Sequence, residues 1–167
     1  MSTFLQDVLH RINGALGKTP EDYYQAVAGS FLVSCDNAHA VHPNHGEKTD
    51  AVNCSWMNKG IVIKESANQK YTTDAFSRAV FTNVCNEAGV PVQVFANRSD
   101  ILGGSTLGNL SNTQVSVHAV DIGLPQLAMH SCYETAGVKD VEYAISALTK
   151  FYQTTLQIEG AERVCFE

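Results

Sequence analysis

Short apolar runs alternate with segments of helical period along this chain, and that alternation limits the folds open to it more than any other feature. The runs SFLVSC (30–35), GIVIK (60–64), VPVQVFA (90–96) and VSVHAVDIG (115–123) have the length and composition of strands. Residues 3–16 place Phe4, Leu5, Val8, Leu9, Ile12 and Leu16 on one helical stripe, with Ser2 or Thr3 to cap it and Gly17 to stop it. Thr19, Pro20, Glu21 and Asp22 supply a cap, a proline at the first helical position and an acidic first turn for a second helix to about Ala28. A third helix runs over 74–88 through Phe76, Val80, Val84 and Ala88, with Gly89 ending it. A small one is expected over 105–113 behind Ser105, and the last strong element is a helix over 139–152. Strands interleaved with helices in this way predict an α/β fold, a three-layer α/β/α sandwich around a mixed, mostly parallel sheet. At 167 residues, with no internal repeat or linker, residues 1–167 are expected to form a single domain.

The composition narrows the function classes. Hydrophobic residues make up 44% and charged residues 17%, which is enough apolar surface for a core. A net charge of -6 lacks the basic stripe that a polyanion requires, so neither nucleic acid nor an anionic membrane is an expected partner. No apolar run approaches a membrane span, and the start MSTFLQDVLHRI has no basic leader followed by an apolar stretch. Five cysteines without a CxxC pair fit reduced thiols, and a cytoplasmic location is the expectation.

Two stretches carry candidate chemistry. SCDNAHAVHPNH (34–45) puts Asp36, His39, His42 and His45 in a loop just beyond the strand SFLVSC. Open α/β sheets bind ligands at that end of their strands, and carboxylate oxygen with imidazole nitrogen suits zinc. Pro43 and the absence of HExxH rule out the helix of standard zinc proteases. The stretch therefore reads as a partial metal site, a complete one, or a polar loop. In the second stretch, LPQLAMHS (124–131), His130 follows an apolar run after another strand. Parallel strands would deliver it to the same edge as Asp36.

Other features are weaker alone. Gly103, Gly104 and Gly108 let backbone approach a ligand closely, but the stretch RSDILGGSTLGN is no phosphate-binding loop. Lys64 and Tyr71 could anchor an anionic group, although a lysine at a strand end is usually solvated. Cys132 near His130 and Cys35 beside Asp36 raise cysteine catalysis, for which adjacency in sequence supplies neither a base nor a lowered pKa.

Taken together and in order, SCDNAHAVHPNHGEKTD, NKGIVIKESANQKYTTDA, VPVQVFANRSDILGGSTLGNLS and VDIGLPQLAMHSCYETAG resemble the later part of the aspartyl aminopeptidase family, which are dinuclear zinc exopeptidases. The likeness covers most of residues 1–155. It implies that Asp36 is a terminal ligand of one zinc and His130 a ligand of the other. His39 and His42 would belong to a loop near substrate and subunit contacts. Lys64 and Tyr71 would receive the substrate's acidic side chain. Gly104, Ser105 and Thr106, with Met129, would line the substrate pocket.

The resemblance further implies release of N-terminal aspartate or glutamate from peptides by two-zinc hydrolysis, in a homo-oligomer. Family members are more than twice this length. Their upstream part supplies a histidine ligand, a bridging aspartate and a Glu-Glu pair with the general base; this sequence has no such pair. With two ligands and no base, the isolated chain is expected to be inactive. The alternative expectation is a non-catalytic oligomerisation or regulatory module that keeps the fold without the chemistry.

Overall fold

The computed structural model describes residues 2–160 and 163–166. Helix α1 (Phe4–Ala15) begins at Thr3 without a side-chain cap, and Gly17 follows it at φ +68. Helix α2 (Pro20–Ala28) has the expected start: Thr19 Oγ1 accepts the Asp22 N–H while Asp22 Oδ2 accepts the Thr19 N–H at 2.8 Å. The same reciprocal cap opens α3 (Ala75–Glu87), where Asp74 Oδ1 accepts the Ser77 N–H at 2.7 Å and Ser77 Oγ accepts the Asp74 N–H. Short α4 (Leu107–Asn112) has Thr106 rather than Ser105 at its N-cap position, without a side-chain cap bond, and α5 spans Val138–Gln153.

The central sheet contains β1 (Phe31–Cys35), β3 (Ile61–Glu65), β4 (Val92–Ala96) and β5 (His118–Gly123), in the order β1-β5-β3-β4. β1 is parallel to β5 and β3 to β4, while β3 and β5 are antiparallel, so the sheet is mixed and mostly parallel as expected. Side chains alternate across it. Ile61 and Ile63 of β3 and Val120 and Ile122 of β5 point to one face, where Phe81 and Cys85 of α3 and Ala147 of α5 complete the main core. Val62 and Phe95 point to the other face and pack with Ala38 and Tyr71. There α4 closes onto the sheet at Gly108, whose N–H donates to Ser34 Oγ at 3.0 Å. The fold is α/β with helices on both faces.

Five short strands among the described residues carry no clear signal in the sequence. Within the expected 37–59 loop lies β2 (Ala38–His39), which pairs in parallel with β6 (Pro125–Leu127). β7 (Thr135–Ala136) pairs antiparallel with β6. Past the last expected helix, β8 (Leu156–Glu159) and β9 (Arg163–Phe166) form an antiparallel ladder. Strands of two to four residues carry too few alternations to register as a period. Strand β5 begins at His118 rather than Val115. The stripe of α1 is also uncovered within the chain, with Phe4 72%, Ile12 50% and Leu16 69% exposed. An amphipathic pattern tells that a face is apolar, not what it packs against.

Candidate active site

The loop after β1 and the loop after β5 run side by side. The Asp36 N–H donates to the Ile122 carbonyl at 3.0 Å, tying the end of β1 to its neighbour. One step on, Ala38 and His39 of β2 pair with Pro125 and Gln126 of β6. This pairing delivers Asp36 and His39 from one loop, and Met129 and His130 from the other, to a single cavity of about 450 Å³. The same cavity is lined by His42, Lys64, Tyr71, Gly104, Ser105 and Thr106, so the structure brings together every residue singled out as a metal ligand or substrate contact. His45, from the same stretch, lines it too, with Nδ1 3.1 Å from Glu47 Oε1.

Gly123 lets the loops approach. A methyl group there would stand 2.0 Å from the Asp36 carbonyl oxygen and 2.8 Å from Asn37 Cα, so only hydrogen fits where the chain crosses the end of β5. The glycine turn behaves differently from expectation. A side chain at Gly104 would meet nothing within 4 Å, whereas one at Gly103 would strike Asn97 Nδ2 at 2.5 Å. At Gly108 it would strike Ser34 and Asp121. The close approaches at Gly103 and Gly108 are therefore to protein.

Lys64 is not a solvated strand-end lysine; it is 2% exposed. Its ammonium donates to the Asp36 carbonyl at 2.9 Å and the Asn37 carbonyl at 3.4 Å, and stands 5.2 Å from the centre of the Tyr71 ring. Burial pushes its pKa down, and the negative charges of Asp36 and Asp121 pull it back up. Asp121 is fully buried on β5. Its Oδ2 accepts the Thr72 N–H at 2.6 Å and the Thr72 hydroxyl at 3.0 Å, while Oδ1 has no hydrogen-bond partner among the described residues. Through Thr72 this carboxylate holds the segment carrying Tyr71.

Asn97, just beyond β4, donates from Nδ2 to Tyr71 Oη at 3.1 Å. That bond occupies an acceptor site on the phenol and leaves its own O–H free to donate into the cavity. Burial raises the Tyr71 pKa, so this proton is retained. The His39 pKa is lowered by desolvation first and then by the nearby His130 and Lys64, which favours a neutral imidazole. Asn97, Arg98 and Gln126 also line the cavity and had not been singled out. For Asn97 the available signal was its place directly after a strand. For Gln126 it was an amide inside an apolar run.

The carboxylate of Asp36 and the imidazole of His130 suit zinc in kind. They fall short in number. Among the described residues no group of three or more histidine, cysteine, aspartate or glutamate side chains is placed to hold a metal ion. Asp36 and His130 thus fit as contributions to sites that need further ligands. Among the described residues no helix is long and apolar enough to cross a membrane.

The family model described as "Aminopeptidase I zinc metalloprotease (M18)" matches residues 1–152. The chain is 49% identical over 151 residues to the "Probable M18 family aminopeptidase 2" of Clostridium novyi, covering 90% of this chain and 35% of that protein. It is 42% identical over 158 residues to "Aspartyl aminopeptidase 1" of Schizosaccharomyces pombe, covering 95% and 33%. Among solved structures, the cryo-EM structure of the Ape4 and Nbr1 complex matches with a TM-score of 0.87 at 43% identity, over 91% of this chain and 29% of that one. The S. cerevisiae mApe1 dodecamer matches with a TM-score of 0.69 at 26% identity, over 78% and 28%. The chain spans about a third of the length of the curated relatives it matches.

Proposed function

Since this chain belongs to the M18 family of zinc aminopeptidases, we propose that it carries one wall of a two-zinc active site that removes acidic residues from the N-termini of peptides. Asp36 would hold one zinc and His130 the other, each as one ligand among several. The remaining ligands and the general base would come from outside residues 1–167. Zinc in such a site supplies Lewis-acid polarisation of the scissile carbonyl and an activated water.

The chain's own contribution is recognition. The Lys64 ammonium and the Tyr71 O–H would bind the carboxylate of the first residue through charge-assisted hydrogen bonds. Asn97 directs the phenol proton towards it. His39, as a neutral imidazole, and His42, whose Nδ1 accepts the Asn44 N–H, line the cavity, and Gly104, Ser105, Thr106 and Met129 shape its wall. The observation that carries this reading is the β2–β6 pairing, which puts the Asp36 and His130 loops around one cavity with a buried lysine in its floor. Cytoplasmic location and homo-oligomeric assembly belong to the same reading; the dodecamer of the S. cerevisiae relative supports the second.

The test compares the 167-residue chain alone with the chain combined with the remaining two thirds of the Clostridium novyi relative. Aspartyl-peptide hydrolysis and zinc calorimetry are the readouts. The chain alone should bind zinc weakly and turn over no substrate, and the combination should hydrolyse aspartyl and glutamyl peptides in preference to leucyl ones. Native-like turnover by the chain alone, or a combination with no preference for acidic residues, would overturn the reading.

A further inference from the structure

We propose that Glu134 is a positioning residue that, through Gln126 and Asn37, locks the His130 loop to the Asp36 loop and so sets the spacing of the two ligand-bearing segments. The purpose assigned to this lock rests on the proposed function above; its geometry does not.

His130 has φ +67 and Ala128 φ +55, left-handed conformations that non-glycine residues rarely adopt. A turn of this kind persists only if its surroundings hold it there. The Glu134 carboxylate does so. Its Oε1 accepts the His130 N–H at 2.6 Å, a short charge-assisted bond, while the Ser131 N–H closes the turn on the Ala128 carbonyl at 3.0 Å.

Glu134 is in turn tied to the other loop. Gln126, 4% exposed in β6, donates from Nε2 to Glu134 Oε1 at 3.4 Å and accepts from Asn37 Nδ2 at 2.6 Å. The orientations of these amides follow from one another. Asn37 Oδ1 accepts the Leu124 N–H at 3.3 Å, so its Nδ2 faces Gln126; Gln126 must then turn its oxygen to Asn37 and its nitrogen to Glu134. A primary amide can accept at one end and donate at the other, which accounts for a buried glutamine in an otherwise apolar run. Asn37 follows Asp36 directly, so the relay starts beside one ligand and ends on the backbone of the other.

The test is residue-resolved NMR on the isotopically labelled full chain without added metal. In the native protein the His130 amide should exchange slowly for an exposed turn. Glu134→Ala should speed its exchange about tenfold or more and shift the His130 ring resonances, as loss of a charged hydrogen bond requires. Glu134→Gln keeps the acceptor oxygen and should restore both, within about threefold in rate. Gln126→Leu should also speed exchange at His130, while Val120 and Ile122 in β5 stay unchanged throughout. Asn37→Ala tests the same relay from its other end should the leucine variant fail to fold. An unaltered His130 in Glu134→Ala, or an Asn37→Ala or Gln126→Leu change that stops short of His130, would overturn the proposal. Failure of the aspartyl-peptide assay with the exchange pattern intact would count against the proposed function and not against the lock.

Discussion

The ammonium of Lys64 sits 2.9 Å from the backbone carbonyl of Asp36, so the cation proposed to receive an acidic side chain is anchored to the residue proposed as a metal ligand. Under the proposed function, recognition and metal binding would thereby share one frame, because a shift of the Asp36 loop would move both.

Lys64→Met separates the charge from its packing. Methionine fills similar volume and removes a buried cation whose desolvation is only partly offset by two carbonyls and distant carboxylates. Urea denaturation should show stability between unchanged and about 2 kcal/mol higher. In the combined enzyme the same change should abolish preference for aspartyl over leucyl peptides.

Gly123→Ala tests the crossing of the Asp36 loop over β5. The added methyl would overlap the Asp36 carbonyl and the Asn37 backbone, neither of which is a flexible side-chain end. A loss of about 2–3 kcal/mol in denaturant unfolding is expected, with the amide resonances of Asp36 and Asn37 displaced.

Asp140 is fully buried at the start of α5 and accepts the backbone N–H groups of Asn58 at 2.5 Å and Gly60 at 3.1 Å. It fastens the turn leading into β3, the strand that carries Lys64. Asp140→Ala removes the acceptor of both donors and leaves that of buried Gly60 without a partner, so chemical denaturation should report a loss of about 1–3 kcal/mol.

Cys85 lies in the main core, and burial pushes its thiol from 9.0 up to about 12. The unfolded chain releases this proton near pH 9 while the folded chain keeps it. Stability should therefore fall as pH rises from about 9 towards 12, and this contribution to the fall should vanish in Cys85→Ala. At pH 8, iodoacetamide followed by mass spectrometry should label exposed Cys132 in the folded protein and Cys85 only after unfolding.

The longer elements were legible because their signals are local. Thr19 with Asp22 and Asp74 start their helices as expected, and Gly17 and Gly89 end theirs in left-handed turns. Asp36 was expected beyond the end of a strand and is found there. Its meeting with His130 was an expectation, and the two line one cavity. For Lys64 the sequence is equally compatible with a solvated and an anchoring side chain. An isolated IVIKE run does not disclose that both faces of β3 are covered.

By itself, then, the sequence determined the alternation of helices and strands, the caps and stops, and the set of polar side chains available at strand ends. Only the tertiary structure decided that β2 and β6 lie side by side, that Lys64 is buried beneath Tyr71, and that Gln126 joins Asn37 to Glu134. Caps and periodicities arise between residues a turn or two apart. Those other contacts join segments far apart in the chain, and they exist only once the sheet has chosen its strand order.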